Sequence, residues 1–563
     1  MTTVANDSLP THAGEAPYGA IRDGQDVDVQ VLVVGLGPVG ATLANLLGRY
    51  GVRTLAVDRE LDIYMAPRAI SLDNEALRVL QLAGVQPGEV DTVEIPIVRM
   101  HSPYFGEFAR IESAGRLDGH PRLVTFHQPQ LERVLRDHLA QHRHVTVKLG
   151  TELTAIEHMT DGVRATLRGR DGVSRSIRAQ FVIGVDGAGS FVRKLAGLEV
   201  TGKTYTEDWL IVDARNAPIP IDHVEFICNP ARPTPHMVAP GNRQRWEFML
   251  KPGETREQME TPETIRALLA PWGDPSDMEI ERTAVYRFEA KVAHRFRVGA
   301  ILLAGDAAHV TPPFVGQGLV AGLRDAANLA WKLALVVHGQ AAPQILDSYD
   351  AERRPHARAM VQLAVRMGAL VMPRSVGAAV LAHGLVRTLR LIPPLRALID
   401  EQKIKPRQRY KHGLYVRSGV RGKLRRGEPL RQTQVRSSVG ERCLSDDALG
   451  TGFALVGFGK DPALHLDAET ASALCAIGGR CVHLGLRDSG SEFDDLDGTL
   501  VPGLAPDGWV VLVRPDRIVL HDGPVTESVR IVREGLALLG HTLRVAAKQP
   551  SGADTGFHTE TTA

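Results

Sequence analysis

Gly35, Gly37 and Gly40 with Asp58 beyond them, and Asp306 followed by Gly316 and Gly318, are the residues whose types and spacing point to chemistry. The spacing Gly35-x-Gly37-x-x-Gly40 leaves bare backbone where a diphosphate can approach. A carboxylate placed like Asp58, at the end of the next apolar run, can accept hydrogen bonds from ribose hydroxyls. Helix first turns carry unpaired N–H groups, which suit anions. The chemistry is the holding of a dinucleotide.

The elements that must position these residues can be read around them. In "DVQVLVVGLGPVGATLANLLGRYGVRTLAVDRE" an apolar run, a glycine turn, a helical pattern and a second apolar run form a βαβ unit. Gly35 makes the turn, Gly37 admits the pyrophosphate and Gly40 lets helix and strand pack closely, while Pro38 opens the helix and Arg59 follows the acid. A second segment, "AILLAGDAAHVTPPFVGQGLVAGLRDAANLAWKL", reads as a buried strand ending at Asp306, then a long apolar helix. Asp306 is placed to bind the sugar-alcohol chain of a flavin. Pro313, Gly316, Gly318, Leu319 and Val320 bring a helix start toward its ring, where free donors stabilise the negative charge of the reduced form. The local alternatives are a turn or capping carboxylate for Asp306 and a plain strand-to-helix turn for the glycines. No second GxGxxG follows a strand, so one tightly held dinucleotide, FAD, is expected.

Bulk properties exclude several classes. With 66 Lys and Arg against 65 Asp and Glu, no field draws the chain to nucleic acid or an anionic membrane. Cys228, Cys443, Cys475 and Cys481 suit neither a disulfide framework nor a zinc ribbon, and the histidines lack ligand spacing. A cytoplasmic protein without metal is expected. The lipophilic stretch Met367 to Ile399 is interrupted by arginines and Pro393-Pro394, which excludes a membrane span. The expected organisation is a disordered lead-in (1–26), a discontinuous FAD-binding domain (27–200 and 290–365), a substrate domain (201–289), a helical connector (366–434), a C-terminal domain (435–545) and a disordered tail (546–563). The runs "DWLIVDAR", "HVEFIC", "RWEFML" and "TAVYRF" predict an antiparallel sheet in the substrate domain.

Three motifs in order, "GLGPVG", "GVDGAGSFVR" and "GDAAHVTPPFVGQG", resemble the FAD-dependent aromatic hydroxylases, the single-component flavoprotein monooxygenases. Within that family, "PRAISLDNEALRVLQ", "FHQPQLERVL", "RWEFMLKPGETREQM", "GLRDAANLAWKLALV" and "VRPDRIV" are similar to the members that act on 3-(3-hydroxyphenyl)propionate. The resemblance implies an α/β fold with a Rossmann-like FAD-binding domain, an antiparallel-sheet roof over the flavin and a C-terminal thioredoxin-like domain without its active dithiol. It implies that Arg68 and Gln128 touch FAD, that Leu153 lies beside the adenine half, and that Asp186 and Gly187 serve both FAD and the passage of NADH or NADPH. From the residues alone, the local alternatives are a surface charge for Arg68, a turn residue before a helix for Gln128 and a strand end for Asp186. The reaction implied is reduction of FAD, addition of O2 to give a flavin C4a-hydroperoxide, and hydroxylation of a phenolic acid ortho to its hydroxyl. Val320 departs from the family, where many relatives carry Asn.

The substrate side is less defined. His236 and Tyr286, on or near the roof strands, are the candidates for a base that activates the phenol, with a satisfied core residue as the local alternative for each. Arg232 and Arg245 could hold a substrate carboxylate, or could be strand-edge charges, and His309 is expected to hydrogen-bond locally. Rival functions are hydroxylation of a larger polycyclic or polyketide phenol, and FAD binding by a regulatory protein without turnover. A flavin halogenase is disfavoured because no Trp-x-Trp pair occurs. A homodimer is compatible with all of these.

Overall fold

The computed structural model describes residues 27–540 except 66–67, 401–404, 418–423 and 487–488. The expected lead-in and tail lie outside the described residues.

The first glycine motif ends a strand at the centre of a mixed sheet. Val27–Val34 pairs in parallel with Thr54–Asp58 on one side and Ser174–Gly184 on the other. Val145–Leu149 extends the sheet beyond Thr54–Asp58, and Ile301–Leu303 runs parallel to Ser174–Gly184. Strands covered on both faces must be apolar throughout, and Val31, Leu32 and Val33 are fully buried. The parallel pairing carries the turns after Val34, Gly184 and Leu303 to one end of the sheet, where an open α/β sheet holds its ligand. Helix Pro38–Arg49 packs against helix Gly318–Val337, so both helices that open at those turns share one interface. Most of Gly318–Val337 is buried, as expected of a helix apolar on nearly all sides.

Above that end lies an eight-stranded sheet in the order His309–Val310, Glu279–Ala293, Val200–Arg215, Arg243–Met249, Thr234–Ala239, Val224–Ile227, Ile97–Ser102 and Gly106–Glu112. Its last two strands come from well before residue 200. The roof is therefore assembled from three separate stretches of chain. Side chains alternate between faces. Leu210, Val212, Trp246 and Phe248 form a core with Ile265 and Leu269 of helix Pro262–Leu269, while Ile211, Met237 and Glu247 face the FAD-binding half.

Helix Asp347–Val371 leads to helices Val376–Leu389 and Pro393–Asp400, which close the side of the space under the roof. Among the described residues no single helix is long and apolar enough to cross a membrane. Only the bent pair Pro343–Val371 and Val376–Leu389, at 114°, passes that test together.

The C-terminal unit has a seven-stranded sheet in which Arg480–Gly485, Ala454–Phe458, Trp509–Val513 and Val519–Pro524 are neighbours. The first pair is parallel and the others antiparallel. Buried charges join it to the FAD-binding half. Glu352 accepts from Arg514 at 2.7 Å and from Lys332 at 2.8 Å, and these guanidinium and ammonium groups hold its pKa down to about 2 against the effect of burial. Cys475 is exposed, Cys481 half-buried, and both are free thiols.

Candidate active site

A cavity of about 1100 Å³ runs from the glycine turn to the space beneath the roof. Its two ends differ in chemistry. Around Gly37 the wall is polar, with Asp58, Arg59, Glu132 and Arg136 near Pro38; beneath the roof it is apolar, with Met100, Phe226, Met237 and Leu363.

The polar end is shaped by backbone. Gly35 has φ +103°, and a Cβ on Gly40 would lie 2.1 Å from the Gly35 carbonyl oxygen, so both positions require glycine to bring helix and strand together. A Cβ on Gly37 would meet nothing within 4 Å. Gly37 is thus bare toward open space that a ligand can fill. Asp58 is preset at the strand end: its carboxylate accepts from Leu36 N at 2.7 Å and Glu60 N at 2.9 Å. Nearby, burial raises Glu132 to about 7 while its partner Arg136, at 2.7 Å, draws it down.

In the middle of the cavity Gln128 accepts from Ala69 N at 3.0 Å, which leaves its amide donors to the space it lines. Arg68 lines the same region, with its guanidinium 5.4 Å from the Tyr286 ring centroid. Asp306 is set in the wall with no hydrogen bond to its carboxylate among the described residues, and burial raises its pKa. Such an acceptor calls for a donor from the ligand. Gly316, at φ +62°, carries the backbone past Ser71, whose Oγ a Cβ would meet at 2.4 Å, and delivers Gly318 as the first residue of helix Gly318–Val337. Pro313, Leu319 and Gly187 also line the cavity. A bare glycine turn, a ribose-ready carboxylate, an unpartnered acceptor and a helix N-terminus in one trough fit FAD.

Several expected residues do not line the cavity. Gly35 and Gly40 shape the turn without lining the cavity. Leu153 is buried in strand Glu152–Met159. Asp186 caps helix Phe191–Leu195, accepting from Ser190 Oγ at 2.5 Å, Phe191 N at 2.6 Å and Val192 N at 3.0 Å. Val320 is fully buried in the core, so its departure from Asn removes no side chain from the cavity wall. His309 is buried against Asp325 at 2.7 Å, which Arg353 also holds at 2.7 Å.

The two candidate bases separate. Tyr286 lines the cavity; its hydroxyl accepts from Arg282 at 2.9 Å and lies 3.3 Å from that of Tyr64. His236 is on the opposite face of the roof, fully buried, stacked 4.8 Å from Trp246 and bonded to Glu225 at 3.1 Å, with burial lowering its pKa. The arginines considered for a substrate carboxylate are engaged within the chain. Arg232 pairs with Glu254 at 2.5 Å, and Arg245 holds Asp213 at 2.6 and 2.9 Å.

Sequence reasoning missed Glu247. It is 5% exposed, lines the cavity, and has no hydrogen-bond partner among the described residues. Burial raises its pKa to about 6; Asp213 adds to that, while Arg245 and Arg282 oppose it. The signal was the alternation in "RWEFML", where Trp246 and Phe248 point one way and Arg245 and Glu247 the other.

Comparison with known proteins bears on this geometry. The FAD binding domain family matches residues 28–364, and the HcaD C-terminal domain family matches 427–534. A 3-(3-hydroxy-phenyl)propionate/3-hydroxycinnamic acid hydroxylase of Burkholderia vietnamiensis is 37% identical over 87% of this chain and 92% of its own length. The chain belongs to the FAD-dependent aromatic hydroxylases. A relative of the same kind from Comamonas testosteroni is 35% identical over 90% of this hydroxylase and 96% of its own length. Among solved structures, the flavin-dependent monooxygenase PieE, in complex with FAD and substrate, matches 91% of the hydroxylase and all of its own chain, with TM-score 0.77 at 24% identity. Aklavinone-11 hydroxylase, in a ternary complex with FAD and aklavinone, covers the same shares with TM-score 0.71 at 24% identity. These two show the shared fold.

Proposed function

We propose that the hydroxylase uses NAD(P)H and O2 to add a hydroxyl ortho to that of a phenolic acid, with 3-(3-hydroxyphenyl)propionate or a close relative as substrate. The observation that carries this reading is the continuity of the cavity: a polar dinucleotide trough opens directly into an apolar chamber under the roof. Bound FAD supplies activation of O2 after reduction by the nicotinamide cofactor. The chain holds FAD through the Gly37 backbone, Asp58, Arg68, Gln128, Asp306 and the helix start at Gly318. The roof and helix Val376–Leu389 exclude water from the reacting ring, which strengthens polar interactions inside.

The substrate follows that of the similar hydroxylases from Burkholderia vietnamiensis and Comamonas testosteroni. A larger polycyclic phenol is the second reading, favoured by the long apolar wall that Met360, Met367, Leu389 and Leu395 add to the chamber. The C-terminal unit, with a helix between the parallel strands Ala454–Phe458 and Arg480–Gly485 and another after its last strand, is consistent with a thioredoxin-like domain whose work is packing. Anaerobic reduction of the FAD-loaded protein by NADH, followed by stopped flow with and without 3-(3-hydroxyphenyl)propionate, tests the function. Faster reduction with the ligand, and a catechol product on adding O2, are expected. Unchanged reduction and no product would remove that substrate and direct the same assay to polycyclic phenols.

A further inference from the structure

We propose that Glu247 accepts the proton of the substrate's phenolic hydroxyl as the ring is hydroxylated, so that the phenol docks with its hydroxyl against strand Arg243–Met249. The inference rests on the reading above and names the group that makes it work. Glu247 lies on the cavity face of the roof, and its register partner Ile211 and nearby Pro235 are apolar residues lining the same chamber. A buried carboxylate without a hydrogen bond is costly unless a ligand supplies the donor.

The charged groups around it explain why it stays available. Arg245 on its own strand and Arg282 on Glu279–Ala293 both point their donors at Asp213 of Val200–Arg215, with contacts of 2.6 to 3.0 Å. Asp213 thus engages the cations beside Glu247. Arg282 also donates to the Tyr286 hydroxyl. A second anion from the substrate would be repelled here, so the phenol end of the molecule, and not its carboxylate, faces Glu247.

The proton transfer balances within the proposed reaction. As an ortho ring carbon forms its bond to one oxygen atom of O2, the O–O bond breaks, the second oxygen leaves as water with the two electrons that NAD(P)H supplies, and the phenolic C–O bond becomes C=O. The O–H bond then breaks and its electron pair goes into that bond. The proton passes to a Glu247 carboxylate oxygen. The phenolic oxygen is basic again once the ring carbon loses its hydrogen as a proton and aromaticity returns, and Glu247 gives its proton back. A carboxyl group near pKa 6 is a stronger base than an ordinary carboxylate and is still ionised at neutral pH.

The test compares FAD-loaded wild type, Glu247→Gln and Glu247→Asp. Reduced protein is mixed with O2 and 3-(3-hydroxyphenyl)propionate and the catechol is quantified. Wild type is expected to lose rate below pH about 6, Glu247→Gln to form product about 100-fold more slowly without that acid limb, and Glu247→Asp to recover part of the rate. A second readout needs no turnover. Bound 4-nitrophenol is titrated by difference absorbance, and its phenolate colour is expected at higher pH in wild type than in Glu247→Gln, because ionisation places a second negative charge beside the carboxylate. Identical titrations, or a wild type that binds no 4-nitrophenol, overturn the proposal. If wild type forms product and Glu247→Gln matches it, the role of Glu247 fails while the hydroxylase reading stands. If no product forms but the titrations differ, the substrate is wrong and the docking of a phenol at Glu247 is supported.

Discussion

The two ends of the cavity are built on opposite principles. At the FAD end the decisive atoms are backbone: Gly35 and Gly40 exclude any side chain, Gly37 leaves the surface bare, and Asp58 is already hydrogen-bonded by Leu36 and Glu60. Under the roof the decisive atoms are side chains from strands far apart in sequence, and the key carboxylate, Glu247, has no hydrogen-bond partner among the described residues. At the glycine turn and Asp58 the FAD end is satisfied before its ligand arrives, and Asp306 is left for that ligand to pair. The substrate end is left with a deficit for its ligand to fill.

The largest test of that contrast is a pair of identical changes. Gly40→Ala puts a methyl 2.1 Å from the Gly35 carbonyl and is expected to cost about 3 kcal/mol and FAD retention, read by thermal melting and flavin fluorescence. Gly37→Ala should melt as wild type does but bind FAD about tenfold or more weakly, because its methyl enters only the ligand's space. Equal melting losses in the two variants would break the division between packing glycine and binding glycine.

Glu247→Gln sharpens the same contrast through stability. Its pKa is raised from 4.5 to about 6 in the folded protein, so the ionised form is disfavoured by folding. That penalty is present in full above pH 6 and is relieved as the pH falls from 6 toward 4.5. The variant should therefore be more stable than wild type at pH 8 by about 2 kcal/mol, with the difference vanishing near pH 4.5. Chemical denaturation at both pH values measures it, and a constant difference would mean that the carboxylate is not strained.

Asp306→Asn should weaken FAD binding about tenfold while leaving the FAD-free fold as stable as wild type or more so, since the carboxylate has no protein donor to lose. Fluorescence titration with FAD, alongside a melt of the FAD-free protein, reads both. The smallest effect belongs to His236→Phe, which keeps the ring stacked on Trp246 but gives up the bond to Glu225. About 1 kcal/mol of stability should be lost with little change in turnover. A collapse of turnover would return His236 to the chemistry from which its position on the far face separates it.

Consecutive residues carried much of this molecule. The FAD trough was legible because a glycine turn, the strand before it and the helix after it are local, and each requires particular residue types in a fixed order. The strands of the roof were legible as alternating runs for the same reason. That Asp186 caps a helix and that His236 stacks behind the sheet was not, because those positions use the same residue types as binding and catalysis.

By itself the sequence determined the dinucleotide turn, the second strand-to-helix turn with Asp306, and the membership in the aromatic hydroxylases that these motifs carry. Only the tertiary structure decided that strands Ile97–Ser102 and Gly106–Glu112 complete the roof, that Arg232 and Arg245 are held by carboxylates of the chain, and that Glu247 faces the chamber unpaired. The physical reason is range. A turn is set by the φ and ψ angles of neighbouring residues, whereas the face a strand presents and the charges left unpaired on it depend on pairing between segments far apart in the chain.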